Sequence, residues 1–125
     1  AKVNQQASVT LWGSGTPMRE FLYVDDLATA TLFALENTLP EYLYNVGTGV
    51  DVTIKELAET IQHIVGHQGA IIWDATKPDG TPRKLMDSSK MHQLGWKHSV
   101  ELEAGIAQTY QWFLENGDRI KEIKL

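Results

Sequence analysis

The sequence predicts an α/β fold on two observations. Short apolar runs closed by glycine or proline alternate with longer stretches at helical spacing. One of those stretches carries its own start and stop signals. Thr53-Ile54-Lys55-Glu56 has capping-box spacing, Ile54, Leu57, Ala58, Ile61, Ile64 and Val65 form an apolar stripe, and Gly66 stands where the helix should end. At 125 residues, 42% of them apolar and 22% charged, the chain is long enough for one domain with a modest core.

In chain order, Val9–Trp12 reads as a strand and Gly13 to Pro17 as its loop. Phe21–Val24 reads as a second extended piece, and Asp25 or Asp26 as the cap of a helix running to about Asn37. Pro40 marks a loop, and Tyr42–Val46 has the apolar content of a buried strand turned by Gly47-Thr48-Gly49. Ala70–Asp74 is a further strand, followed by a Pro- and Gly-rich loop over Thr76–Arg83. Ser88 or Ser89 then caps a short helix ending near Leu94, with Gly95 as its stop. A last helix starts near Leu102, with Leu102, Ile106, Thr109, Tyr110 and Phe113 as its stripe. Gly105 inside it suggests a close approach, Gly117 ends it, and residues 118–125 read as a frayed charged tail.

Composition removes several classes of function. A net charge of −5 does not favour nucleic acid or an anionic membrane surface, and no run approaches the roughly 20 apolar residues of a membrane span. Without cysteine there is no disulfide, thiolate nucleophile or cysteine-zinc site. His63 and His67 share helical spacing, but no third ligand stands near them, and no metal site is expected. With no initiator methionine and no signal peptide, the sequence reads as a fragment excised from a longer chain, expected to be cytoplasmic.

The stretch with the most chemistry is Trp12-Gly13-Ser14-Gly15-Thr16-Pro17-Met18-Arg19. Its glycines permit close backbone approach to a ligand, Pro17 stiffens the turn, and Arg19 offers a planar fork suited to phosphate or carboxylate. Alternatively Arg19 pairs with Glu20, Asp25 or Asp26, and Trp12 is an apolar anchor in its strand. Lys77, Arg83 and Lys84 share one loop around Asp79 and suit a diphosphate, although such charges are usually just solvated. Asp25 and Asp26 could serve as acid and base, but helix capping explains them more simply.

Five strings in fixed order carry a resemblance. They are Trp12 to Asp26, Tyr44-Asn45-Val46-Gly47-Thr48-Gly49, Lys77 to Lys84, Leu94-Gly95-Trp96, and Tyr110 to Asn116. Together, over about Val9 to Asn116, the chain resembles nucleotide-sugar enzymes of the extended short-chain dehydrogenase/reductase family. The resemblance implies the C-terminal substrate-binding lobe, over residues 1–125, with some elements completing a nucleotide-binding sheet whose Rossmann core lies outside this sequence. It implies an enzyme that epimerises a GDP-linked 4-keto-6-deoxy sugar and reduces the ketone with NADPH, and a homodimer whose contact lies elsewhere. Trp12, Arg19 and Lys84 match the family's substrate-binding positions, with Arg83 a neighbour that shares or exchanges the role of Lys84.

No glycine-rich dinucleotide fingerprint occurs, and no tyrosine is followed four residues later by lysine, so no catalytic or cofactor-binding residue is assigned here. The NADPH site is expected upstream. Two alternatives stand beside this reading: the substrate lobe of another nucleotide-sugar epimerase or dehydratase, and a non-catalytic nucleotide-sugar-binding module.

Overall fold

A computed structural model describes residues 1–117. Its elements are β1 (Ser8–Trp12), β2 (Met18–Glu20), α1 (Val24–Glu36), β3 (Asp51–Thr53), α2 (Ile54–Val65), β4 (Ala70–Asp74), β5 (Arg83–Lys84), α3 (Ser89–Gln93) and α4 (Leu102–Asn116). The α/β class follows from this alternation, and the expected tail at 118–125 lies outside the described residues.

Two small sheets organise these elements. β1 and β4 pair in parallel, with Ser8 opposite Ala70 and Trp12 opposite Asp74. In the second sheet β2 is central, antiparallel to β3 and parallel to β5. Two lengths of chain therefore run side by side, residues 8–20 and residues 70–84. They leave the first sheet together and rejoin in the second.

α2 forms where its signals place it. Thr53 Oγ1 accepts from Glu56 N at 3.0 Å, the Glu56 carboxylate accepts from Thr53 N at 2.8 Å, and Gly66 closes the helix in the left-handed region at φ 73°. Its apolar stripe faces Val9, Leu11 and Ile71 of the first sheet. α4 packs against α2, and Gly105 lets Tyr23 approach: a side chain there would begin 3.2 Å from the tyrosine ring.

Several expectations need correction. Phe21–Val24 is not a strand; the strand lies at Met18–Glu20, because the backbone of Met18 is captured by Pro82 O on one side and its neighbours pair with β3 on the other. Tyr42–Val46 is not a buried strand either. Tyr42 and Leu43 are exposed, and only Tyr44 and Val46 pack, against the cluster of Ala30, Met91 and Trp96. The run is an irregular wrapper. β3 and β5 were not expected, being too short and polar to show periodicity.

The caps differ too. Tyr23 occupies the N-cap of α1 without a side-chain hydrogen bond, so neither Asp25 nor Asp26 caps it. Asp26 is buried instead, accepting from Ser99 N (2.9 Å), Ser99 Oγ (2.8 Å) and Val100 N (3.0 Å). Burial pushes its carboxyl pKa up, but these hydrogen bonds outweigh burial and hold it below the usual value. At α3 neither serine caps through its side chain; Asp87 Oδ1 accepts from Ser89 N at 3.0 Å.

Candidate anion-binding site

The site lies where two loops leave the C-terminal edge of the β1–β4 pair. Trp12 and Asp74 are in register, so the loops over residues 13–17 and 75–82 start level with each other. Ligands in parallel α/β sheets bind outside that edge. Gly13 and Gly15 adopt φ 83° and 77°, which an L side chain rarely does, and a Cβ on Gly15 would stand 2.8 Å from the Trp73 ring. Both glycines are thus dictated by the backbone path.

The loops converge on Arg19 and Lys84. These are Cα partners on adjacent parallel strands, β2 and β5. Strands at that spacing lie about 4.8 Å apart, and partners in register point to the same face. Arg19 is half-buried and Lys84 exposed. Arg19 Nη1 donates to Met18 O at 2.6 Å, and neither cation makes an ion pair among the described residues.

The alternative pairing for Arg19 does not occur. Glu20 instead accepts from Gly49 N (2.7 Å), Thr48 Oγ1 (3.3 Å) and Met86 N (3.2 Å), and Asp26 is committed to Ser99 and Val100. Two unpaired like charges on neighbouring strands repel each other. An anion placed between them would remove that repulsion and satisfy both.

Arg83 must be separated from this pair. One residue along the strand from Lys84, it points to the opposite face. Its guanidinium takes Asp51 in a two-pronged bridge, Nε to Oδ2 at 2.6 Å and Nη2 to Oδ1 at 3.0 Å. That bond raises the arginine pKa and lowers the aspartate's. Arg83 is a strut between β5 and β3, its guanidinium engaged by Asp51 where Lys84 makes no ion pair among the described residues.

Trp12 is 74% exposed at the end of β1, so it is no buried anchor. Lys77 Nζ stands over its ring, 5.6 Å from the centroid. Asp79, which sequence reasoning passed over, grips the glycine loop: its carboxylate accepts from Ser14 N at 2.8 Å and Ser14 Oγ at 2.6 Å. These bonds hold its pKa below the usual range. The Pro78-Asp79-Gly80 string signals a turn and nothing more, so this grip had no sequence signature.

The N-terminus of α2 is not part of the site. Ile54 N and Lys55 N donate to Pro17 O and Gly15 O, and Thr53 takes Glu56 N, so its leading amides are spent on the loop itself. Of the other tryptophans, Trp96 is core and Trp112 is 56% exposed, away from these loops on α4.

Known proteins resemble this chain over most of its length. Residues 1–47 match the model of the NAD dependent epimerase/dehydratase family. The chain is 56% identical to the GDP-L-fucose synthase of Escherichia coli (strain K12), over 97% of this chain and 40% of that protein. It superposes with a TM-score of 0.89 on the crystal structure of a GDP-L-fucose synthetase from Naegleria fowleri bound to NADP, at 28% identity, covering 97% of this chain and 38% of the other. A GDP-6-OMe-4-keto-L-xylo-heptose reductase from C. jejuni gives a TM-score of 0.80 at 39% identity, covering 87% of this chain and 34% of the other. The chain thus spans between a third and two fifths of the length of these relatives.

Proposed function

We propose that this chain, a homologue of the GDP-L-fucose synthases, is the C-terminal GDP-sugar-binding part, residues 1–125, of an enzyme converting GDP-4-keto-6-deoxy-D-mannose to GDP-L-fucose. The observation that carries this is the Arg19–Lys84 pair, without an ion-pair partner among the described residues and side by side on adjacent strands. Arg19 supplies the fork and Lys84 a mobile charge for the substrate's diphosphate, with Trp12 walling the sugar end. Charge neutralisation of that kind holds the substrate in place while proton and hydride transfers occur elsewhere.

No residue here is assigned to those transfers. NADPH, the cofactor supplying the hydride, fits no motif in this sequence, and we assign its site to the part of the relatives that this chain does not span. The same part would carry the dimer contact. No described helix is long and apolar enough to cross a membrane, and the enzyme is proposed to work in the cytoplasm. The C. jejuni relative's name specifies another GDP-linked 4-keto sugar, so the sugar itself is the feature most open to variation.

Two measurements test this reading. The 125-residue chain alone should bind GDP-sugar yet show no keto-sugar-dependent NADPH oxidation. A chimera joining it to the remaining part of the E. coli relative should show that oxidation and release GDP-L-fucose. Turnover by the isolated chain, or a folded chimera without turnover, would contradict the proposal.

A further inference from the structure

The two side-by-side lengths of chain are not equal. Between the sheets the first crosses in residues 13–17 and the second in residues 75–82, three residues more. The surplus does not bulge into solvent. It folds back on the first crossing and its flanking strand ends at three places. Lys77 Nζ sits over the Trp12 ring, the Asp79 carboxylate takes both Ser14 N and Ser14 Oγ, and Gly80 lies so close to the Arg19 guanidinium that a Cβ there would stand 3.1 Å from Nη2.

Each contact falls on a different part of the glycine string: its aromatic wall, its turn and its cation. Gly13 adds a fourth constraint, because a side chain at that position would run into the Asp79 carboxylate. Trp12 is mostly exposed, and Lys77 supplies a polar contact over its ring. We infer that the Lys77–Gly80 segment is the positioning element of the binding string, in which Lys77 orients the Trp12 indole and Asp79 sets the loop that delivers Arg19. The inference rests on the site reading above. It makes Lys77 and Asp79 positioning residues that act through Trp12 and Ser14 before any ligand arrives.

Energetics fit that role. An exposed cation over an aromatic ring is worth about two- to fivefold in an equilibrium. Two hydrogen bonds to a carboxylate are worth more, since charged bonds are roughly twice as strong as neutral ones. Losing either should loosen the string without unfolding the sheets, whose ladders do not involve these side chains.

The test is made in the full chain with GDP-mannose, a stable GDP-sugar, as the probe. The indole N–H resonance of Trp12 is assigned by its loss in Trp12→Phe and followed in Lys77→Met, Lys77→Arg and Asp79→Ala without ligand. Titration with GDP-mannose follows for each, with Arg19→Ala alongside. The inference expects the resonance to move in Lys77→Met and Asp79→Ala, to return toward its original position in Lys77→Arg, and every variant to stay folded. It expects GDP-mannose affinity to fall about two- to fivefold in Lys77→Met and about tenfold in Asp79→Ala. An unmoved resonance overturns it, whatever the affinity does. So does a moved resonance with unchanged affinity where Arg19→Ala does lose affinity. If Arg19→Ala binds GDP-mannose normally, the site reading fails instead, and the resonance alone then decides whether Lys77 and Asp79 position the string.

Discussion

Asp26 shows how far a residue's role can depart from its local sequence. Its place at the start of a helix reads as capping, yet it is the buried acceptor for a loop more than seventy residues away. Replacing it with asparagine should cost about 1.5–3 kcal/mol, the range for hydrogen bonds to a charged group. Because its folded pKa is depressed, the stabilisation is complete above the ordinary aspartate value of about 3.9 and is lost as pH falls through the folded value. Melting curves of wild type and Asp26→Asn should therefore separate at neutral pH and converge in acid; a gap unchanged at pH 2 would count against this. The tethered carboxylates Glu20, Asp26 and Asp79 were all invisible in sequence for one reason. Each bonds residues far away in the chain, and pattern reasoning sees only neighbours. Arg19 and Lys84 stood out as candidates because the strings around them are distinctive, while the opposite orientation of Arg83 required the register of β5.

At the scale of elements, those with their own signals were read well. α2 carried cap, stripe and stop together, and its residues are placed as expected, as are β4 and the last helix. Thr53→Ala removes one side of the capping box and should destabilise by about 1 kcal/mol in a urea melt, with the slope unchanged. Gly105→Leu is a sharper probe of packing. It places a branched side chain against Tyr23 where even a Cβ is tight, and should cost about 1–3 kcal/mol. A neutral or stabilising result, driven by better helix propensity, would show that the α1 and α4 ends do not meet as closely as described. β3 and β5, three and two residues long, exist only through pairing with β2, and no local preference could announce them.

For the whole molecule, the sparse core is the governing fact. Among the described residues Ala30, Met91 and Trp96 form the buried apolar core, while Val24, Leu27, Leu32 and Leu35 of α1 and Trp112, Phe113 and Leu114 of α4 stand exposed. These helix faces are the basis for expecting the chain to self-associate. Apolar surface on this scale favours association. Sedimentation of the 125-residue chain should show oligomers that grow with concentration, and Leu27→Lys with Leu35→Lys should reduce them; a compact monomer with a sharp, reversible melt would contradict this. The central claim is that Arg19 and Lys84 together neutralise a GDP-sugar diphosphate, and calorimetric titration of GDP-sugar into the longer enzyme carrying this chain tests it most directly. Arg19→Ala and Lys84→Ala should each weaken binding by about 1.5–3 kcal/mol, Arg19→Lys should recover part of the loss, and NADPH affinity should hold. Unchanged GDP-sugar affinity in both alanine variants would contradict it.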